Sequence, residues 1–456
     1  MRVEFLTAEI GSTTTVLSAF SCDASGKMKF VGQGESYTTI DENDVTVGIE
    51  KAMKALKKNL GTERLEWDVL VASSSAAGGL RMTVHGLVYD MTVKAAREAA
   101  LGAGGVIKLV TAGKLAHRDL KRIEEATPKL ILLAGGVDYG ERETVIHNAE
   151  ILKNADPEIP IVYAGNVVAA DEVCEIVSVN GRDVHVVENV YPRIDELNVE
   201  PTRKIIRDVF SKNIVKGPGM EKIYSLVDKP VIPTPAAVML AAEIFSDTKG
   251  DVLAVDIGGA TTDVDSVTDG DPEIESILVS PEPRAKRTVE GDLGIYVNAR
   301  HVIEHIGRSE LEREFPDLES IVENLTPYPK NSLDEAFSVR LAKYCFESSI
   351  RRHAGSIKQF YGPTGRIEVA HGKDLTAVRS IVGTGGILSR SKFCSKIMEG
   401  IRTLSEKHEK ELLPKAIVKL YRDKHYIFGA IGLISTVDFS SAKDLLENSF
   451  EELRNF

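Results

Sequence analysis

Short apolar runs that end in Gly or small polar residues recur along the first half of the chain. They occupy residues 3–12, 68–79, 106–113, 131–140 and 161–166. Between them lie amphipathic stretches, such as residues 91–103 and 141–155, whose apolar positions recur at helical spacing. Such alternation of buried strands and helices predicts parallel sheets covered by helices, so the expected fold class is α/β.

The pattern also predicts several domains, since 456 residues exceed the size of one ordinary core. Strand and helix alternate most densely between residues 68 and 193, which predicts an inserted doubly wound module. A helix entered through prolines follows at residues 231–245, and more strands then run to about residue 289. The predicted order is the first half of lobe I (1–67), the inserted module (68–193), the rest of lobe I with a connecting helix (194–247), lobe II (248–425), and a closing helix with a C-terminal tail (426–456).

Two distant segments repeat one pattern: EIGSTTTVLSAF begins at Glu9 and DIGGATTDVDSV begins at Asp256. In each, an apolar strand delivers an acid and a turn of small and hydroxyl residues follows, which lets backbone N–H groups approach phosphate oxygens. The two acids would face a magnesium ion, which keeps most of its waters. The candidate donors are Gly11, Ser12, Thr13 and Thr14 in the first loop and Gly258, Gly259, Ala260 and Thr261 in the second.

Either loop alone is more simply an ordinary Gly-rich hairpin, because an acid near Gly and Thr is a common pattern. The pair is more specific, because the copies are separated by about a domain and a third Gly-rich turn follows at residues 383–386. Two related half-molecules that face one ligand would produce this repeat.

The segments around the second loop resemble those of a large ATPase superfamily. PTPAAVMLAAEIF and VLAVDIGGATTD are similar to the connecting helix and second phosphate motif of Hsp70-type and actin-like ATPases. GTGG at 383–386 resembles their adenosine motif, and YIFGAIGLIS at 426–435 resembles their closing helix. This resemblance implies two actin/Hsp70-like, ribonuclease H-like lobes around a nucleotide cleft, with ATP or ADP and Mg as cofactors.

A narrower resemblance covers nearly the whole chain. The segments AEIGSTTTVLSAF, ASSSAAGGLRM, LLAGGVDYGE, VYAGN, VDIGGATTDVDSV, VEGDLG and GTGG resemble the accessory protein of glutamate (methylaspartate) mutase, a family called MutL-type. That family is unrelated to the mismatch-repair protein of the same name. The resemblance implies a reactivating chaperone that uses ATP to help replace damaged cofactor on an adenosylcobalamin-dependent mutase.

The resemblance also implies roles for individual residues. Glu9 and Asp256 take the magnesium-facing positions, and the two loops take the phosphates. The residues that the resemblance places beside the nucleoside are Gly291, Gly383, Thr384, Gly385 and Gly386. This chain departs from the wider superfamily in having Glu9 for the usual Asp and Val16 where a Lys often stands. Without that Lys we expect slow hydrolysis, or a site that mainly binds and senses nucleotide.

Two further polar positions leave alternatives open. Asp263, just after the second loop, could orient the attacking water or organise the metal shell, and it could equally cap the turn. His85 and Asp90 lie beyond the Gly-rich turn at residues 78–79 without an evident chemical partner. We therefore expect a core or solvated role for both rather than acid-base chemistry.

Composition narrows the function further. A net charge of -12 argues against a nucleic-acid partner. No apolar run approaches the roughly 18 residues of a membrane helix, so we expect a cytoplasmic protein without membrane contact. Four widely spaced cysteines signal neither disulfides nor zinc. Neither a P-loop, a G-x-G-x-x-G fingerprint nor the cobalt-ligating D-x-H-x-x-G signature occurs, so a partner is expected to carry the cobalamin.

The fold alone leaves three functions open: the mutase-reactivating ATPase, a small-molecule kinase, and a non-catalytic actin-like protein that polymerises with nucleotide. A kinase needs a catalytic carboxylate beside the loops, and the inserted module offers no obvious base. No repetitive exposed apolar face favours filaments, although self-association stays open. The narrower resemblance favours the first function.

Overall fold

The structure, a computed structural model, describes residues 1–11, 13–39, 44–75, 80–214, 223–327, 329–362, 365–415 and 417–453. It divides into two compact units. The first comprises Met1–Ala237, Ser280–Pro283 and Thr436–Phe439, and the second comprises Val238–Val279, Arg284–Ser435 and Ser440–Phe456. In these ranges no helix has the length and apolar character needed to cross a membrane. All four cysteines are free thiols.

The first unit begins with a five-stranded sheet in the order β10-β4-β1-β2-β3. β1, β2 and β3 form an antiparallel meander, while β1 pairs with β4 and β4 with β10 in parallel. The strands are β1 (Arg2–Ile10), β2 (Thr14–Cys22), β3 (Met28–Tyr37), β4 (Glu66–Ser74) and β10 (Ile232–Pro233).

Helix α1 (Val45–Asn59) covers one face of this sheet. Its N-terminus is capped by Asp44, whose carboxylate accepts from the N–H of Thr46 at 2.8 Å. Gly34 of β3 lies directly beneath the helix, and a Cβ there would stand 2.2 Å from the backbone nitrogen of Leu56. A glycine is therefore needed where helix and sheet approach this closely.

The predicted inserted module is present as a separate sheet in the order β6-β5-β7-β8-β9, with all strands parallel. Its strands are β5 (Leu80–Gly86), β6 (Gly105–Ala112), β7 (Leu130–Leu133), β8 (Ile161–Tyr163) and β9 (Val184–Val186). Its helices are α2 (Lys94–Gly102), α3 (His117–Glu125), α4 (Glu143–Leu152), α5 (Ala170–Val177) and α6 (Glu200–Ile214). Every side chain of β7 is buried, as expected for a parallel strand covered on both faces.

The predicted start of the module, at residue 68, falls inside β4. That strand pairs in parallel with β1 of the first sheet, and the module's own sheet begins at Leu80. A buried parallel strand has the same apolar sequence in either sheet, so the pattern alone placed it with its neighbours in sequence.

His85 of β5 has the core role expected from the sequence. It is fully buried, with Nδ1 2.7 Å from the Thr111 hydroxyl and Nε2 2.9 Å from the Thr83 hydroxyl. Burial lowers its pKa to about 3, so the ring is neutral at physiological pH. Asp90 lies in a π-helical turn, Tyr89–Val93, that leads into α2.

The second unit is built on a six-stranded sheet in the order β13-β12-β11-β16-β17-β18. Again an antiparallel meander, here β11 to β13, is joined in parallel to two later strands. These strands are β11 (Val252–Ile257), β12 (Thr262–Val267), β13 (Ala285–Glu290), β16 (Ser380–Thr384), β17 (Lys419–Asp423) and β18 (Phe450–Leu453). The first five have the order and directions of the first sheet, which confirms the predicted pair of ribonuclease H-like lobes.

The predicted connecting helix is α7 (Thr234–Lys249), which carries Pro235 in its first turn. The hairpin of β14 (Ser356–Gly362) and β15 (Gly365–His371) forms a separate two-stranded sheet. The other helices are α8 (Pro272–Glu275), α9 (Ala299–Ile306), α10 (Arg308–Glu314), α11 (Leu318–Glu323), α12 (Ser332–His353), α13 (Gly386–Arg390), α14 (Cys394–Met398), α15 (Gly400–Lys407), α16 (Phe428–Ser435) and α17 (Phe439–Ser449). Of these, α16 is the predicted closing helix.

Candidate functional site

The first candidate loop joins β1 to β2 in a tight hairpin. The N–H of Gly11 donates to the carbonyl of Thr14 at 2.9 Å, and a Cβ on Gly11 would stand 2.7 Å from that oxygen. The carbonyl of Thr13 accepts from the N–H of Thr38 at 3.0 Å. Ser12 lies outside the described residues. The loop is therefore fixed by its own backbone and by the residue that follows β3.

Glu9 lies at the end of β1, two residues before this loop. Across the sheet it pairs with Val16 on β2 and with Ser73 on β4. Val16 is buried, so an apolar side chain fills the position opposite Glu9. The first loop thus brings together Glu9, Gly11, Thr13 and Thr14.

The second candidate loop closes in the same way. The N–H of Gly258 donates to the carbonyl of Thr261 at 2.9 Å between β11 and β12. Asp256 lies two residues earlier on β11 and pairs with Asp263 on β12 and Thr384 on β16. The repeat seen in the sequence is therefore a repeat of backbone geometry.

A segment that we call the clamp, Gly291–Asn298, holds the second loop from one side. The carbonyl of Gly259 accepts from two backbone N–H groups of the clamp, at 2.7 and 2.9 Å. The side-chain amide of Asn298 donates to the carbonyls of Ala260, at 2.7 Å, and Gly291, at 2.8 Å. The loop carbonyls are thus engaged, and their orientation is fixed.

The N–H groups of the second loop, unlike its carbonyls, are not held by the clamp. Those of Gly259 and Ala260 donate no hydrogen bond to any residue that the structure describes, and both residues are only half buried. Two adjacent N–H donors on a Gly-rich turn form a concavity that binds anions. The donor set fits a phosphate group, and Asp256 stands close by in sequence to share a magnesium ion with it.

The predicted adenosine motif lies beside Asp256. Gly385 has φ +89, and a Cβ on it would stand 2.5 Å from an Asp256 carboxylate oxygen and from the Ile257 carbonyl. Only glycine allows the start of α13 to approach β11 this closely. The hydroxyl of Thr384, the residue before Gly385, donates to the Asp423 carboxylate at 2.9 Å.

Asp423 was not singled out from the sequence. It is fully buried at the end of β17, and its carboxylate accepts from the N–H groups of Ile427, at 3.1 Å, and Phe428, at 2.9 Å. It therefore caps α16 while holding Thr384, and burial raises its pKa. Asp423 lies five residues before the first residue of α16, outside the position where a capping signal is read from sequence.

Asp263 forms an ion pair with Arg287 of β13, whose side chain is only 1% exposed. Its other carboxylate oxygen accepts from the hydroxyl of Thr261 at 3.3 Å. These contacts are those expected of a residue that stabilises the turn. A water-orienting role stays a prediction. Arg287 was missed, although a basic residue inside the strand AKRTVE signals a buried partner.

Gly291 is fixed by its two acidic neighbours. A guanidinium nitrogen of Arg352 lies 2.8 Å from Glu290 and 2.7 Å from Asp292. Asp292 also approaches His305 Nε2 at 2.8 Å. The Arg352 guanidinium is the main cause that lowers the pKa of Asp292 to about 2. Since Asn298 binds the Gly291 carbonyl, this ion cluster also supports the clamp.

Over the described ranges, no group of three or more His, Cys, Asp or Glu side chains is arranged to hold a metal ion. Magnesium needs no such group, because water and phosphate oxygens supply most of its ligands. The predicted residues form two sets. The second unit brings together Asp256, the second loop, Gly291 and Gly383–Gly386, and the first unit holds Glu9 and the first loop.

The chain has relatives of known family. The model of the MutL protein family matches residues 5–450. Protein MutL from Clostridium tetanomorphum is 38% identical over 449 residues, which cover 94% of this chain and 96% of that protein.

Two solved structures are more distant. Nucleotide-free acetone carboxylase is 15% identical with a TM-score of 0.40, covering 95% of this chain and 70% of that one. Nucleotide-free diol dehydratase-reactivating factor is 11% identical with a TM-score of 0.36, covering 95% of this chain and 99% of that one. The fold follows from the sheet topology described above.

Proposed function

Because the chain belongs to the MutL protein family, we propose that it is an ATP-dependent accessory protein that reactivates an adenosylcobalamin-dependent amino-acid mutase in the cytoplasm. The partner resembles glutamate mutase, and binding and slow hydrolysis of ATP promote exchange of damaged cofactor. The proposal rests on the family and on a loop whose chemistry suits a nucleotide.

The observation that carries nucleotide binding is the clamped second loop. Its carbonyls are held by the clamp, while the N–H groups of Gly259 and Ala260 donate to no described residue. These two groups would bind phosphate oxygens, and Asp256 would hold magnesium through water. Gly385 provides the small surface beside Asp256 that a nucleoside phosphate needs.

The first loop has the same hairpin closure, so we extend the proposal to Glu9 and Gly11. The expectation that both loops serve one nucleotide comes from the sequence repeat. It predicts one ATP bound per chain, with variants of either loop weakening the same binding event.

Slow hydrolysis has a physical basis in two positions. Val16 supplies no charge where a Lys would neutralise phosphate oxygens. Asp263 is held in an ion pair with Arg287 and accepts from the hydroxyl of Thr261, so its carboxylate is already engaged in the fold. A bound magnesium ion would supply charge neutralisation, and the protein groups would position the phosphates and exclude water. Such a site suits a protein that converts nucleotide binding into a change of shape.

The test is ATP turnover and ATP affinity measured alone and with candidate cobalamin-dependent mutases, each before and after inactivation of its cofactor. We expect the inactivated mutase to raise turnover or change affinity more than the active one does. The Asp256→Ala variant serves as the nucleotide-binding control.

Three outcomes would contradict the proposal. No response to any mutase would remove the accessory role. Transfer of the γ-phosphate to a sugar or an acid would identify a small-molecule kinase. Assembly of the chain alone with ATP would identify an actin-like polymer.

A further inference from the structure

The second sheet has a cavity at the end opposite to its candidate nucleotide loop. β11, β16 and β17 run parallel, with Val252, Ser380 and Lys419 in register where they begin, while Asp256 and Thr384 lie where β11 and β16 end. A cavity of about 1010 Å³ lies at the beginning of these strands. It is large enough for a small-molecule ligand and does not include the residues of the candidate nucleotide loop.

Basic side chains dominate the charge of this cavity. Its wall carries four cations and two acids: Lys249, Arg379, Lys415, Lys419, Asp251 and Asp271. Both acids already have partners in the fold. Asp251 accepts from the hydroxyl of Thr268 at 2.6 Å, and Asp271 caps α8 by accepting from the N–H of Glu273 at 3.0 Å.

The four cations make fewer hydrogen bonds and ion pairs with the described residues than the two acids do. Arg379 and Lys415 are exposed and make no side-chain hydrogen bond or ion pair with the residues that the structure describes. Lys249 lies with its ammonium group 5.6 Å from the centre of the Tyr421 ring. Lys419 has an acidic partner in the described part of the chain, Glu452 at 3.5 Å. Three cations therefore line one concavity without a carboxylate partner among the described residues.

We propose that this cavity binds a compact polyvalent oxyanion, one that carries at least two phosphate or carboxylate groups. The concave wall concentrates the field of the cations, and an anion would relieve their mutual repulsion. Arg379 would bind one oxyanion group through its fork of N–H donors, and Lys249 and Lys415 would neutralise a second. This site is separate from the nucleotide loops and goes beyond the proposed function.

The cavity can be tested by calorimetric titration with inorganic tripolyphosphate while ADP saturates the protein, with a parallel titration using citrate. The double variant Lys249→Met/Arg379→Met should weaken binding at least tenfold, since it removes two of the cations that would contact the anion. The control variant Lys396→Met/Lys443→Met removes two exposed cations of the same unit that lie outside the cavity, and it should change affinity by less than about threefold.

Stronger binding of tripolyphosphate would identify a phosphate ligand, and stronger binding of citrate would identify a carboxylate ligand. The proposal is overturned if neither anion binds or if both double variants lose affinity equally. It is also overturned if tripolyphosphate binds only in the absence of ADP, because the probe would then occupy the nucleotide loops. ADP affinity measured in the same variants tests whether the cavity is separate from the nucleotide loops, and we expect it to be unchanged.

Discussion

The two candidate loops have the same backbone but different surroundings. In each unit an acid ends a strand, and a Gly N–H closes the hairpin at 2.9 Å. Opposite Glu9 in the first sheet lies Val16, whereas opposite Asp256 in the second lies Asp263. The duplicated topology therefore repeats the hairpin, and the side chains decide what each hairpin can bind.

The difference extends to the third strand of each sheet. In the first sheet Gln33 pairs with Ser18, and its amide donates to the Ser18 hydroxyl at 3.0 Å. At the corresponding place in the second sheet, Arg287 pairs in register with Asp265 and forms an ion pair with Asp263. The second loop thus depends on buried charge, and the first depends on neutral hydrogen bonds. The following variants test that contrast.

The largest effect is expected for Arg287→Met, which leaves Asp263 without its buried partner. Breaking such a pair costs about 3–5 kcal/mol of stability. The matched change Gln33→Met in the first sheet removes a neutral hydrogen bond and should cost about 1 kcal/mol. Hydrogen exchange of peptides from β12 and β13 reports the second sheet, and fluorescence of the single tryptophan, Trp67, reports the first.

The double variant Arg287→Met/Asp263→Val copies the apolar position of Val16. It should recover part of the stability lost in Arg287→Met, because the Asp263 carboxylate is gone, while the buried carboxylate of Asp265 remains in register with residue 287. Equal losses for Arg287→Met and Gln33→Met would show that the buried charges do not distinguish the two sheets.

Asp256→Ala should weaken Mg-ATP binding about 10- to 100-fold, which corresponds to roughly 1.5–3 kcal/mol for a charge-assisted contact. Glu9→Ala should have a smaller effect, since no second acid lies opposite Glu9 on β2. Asp269→Ala is the control, because that carboxylate is 78% exposed. ATP binding by all three variants is measured with and without magnesium. Unchanged binding in Asp256→Ala would mean that the second loop is misassigned.

Acid should destabilise the second sheet through His353. This ring is buried, with Nε2 2.8 Å from the hydroxyl of Ser266 and Nδ1 2.9 Å from that of Thr288, and burial lowers its pKa well below 6.5. The unfolded chain takes up a proton below about pH 6.5 and the folded chain does not, so stability falls as the pH is lowered.

Lowering the pH from 7 to 5 should reduce the free energy of unfolding by at most about 2 kcal/mol through His353. Hydrogen exchange of β12 and β13 at pH 7 and pH 5 measures it. His353→Gln should lower stability at pH 7 and reduce the pH dependence, while β1 to β4 contain no histidine and provide the internal reference. An identical pH dependence in both proteins would rule out this role for His353.

The smallest effect is expected for Asn298→Ala. The change releases the carbonyls of Ala260 and Gly291 and lets the second loop turn, which should reduce ATP affinity about fivefold, or roughly 1 kcal/mol. Asn324→Ala is the matched control, since that amide donates to the Ser320 carbonyl at the exposed end of α11. If both variants bind ATP equally well, the clamp does not shape the loop.

The amino-acid sequence by itself determined the features that arise from local pattern. Alternating apolar runs predicted the α/β class, and the acid-Ile-Gly repeat predicted the two hairpins around Gly11 and Gly258. The prolines predicted a helix over residues 231–245, which the structure places at Thr234–Lys249 after the short strand Ile232–Pro233. Such features depend on neighbouring residues and on periods of two or 3.6, so they can be read directly from the chain.

Tertiary structure alone decided which distant residues meet. It placed β4 beside β1 rather than in the inserted module, because apolar parallel strands share one pattern whichever sheet they join. It also brought Arg287 to Asp263, Asn298 to Ala260, and Asp423 to Thr384. Each of these partners is chosen by sheet register and packing between residues far apart in sequence, and no local period encodes that choice.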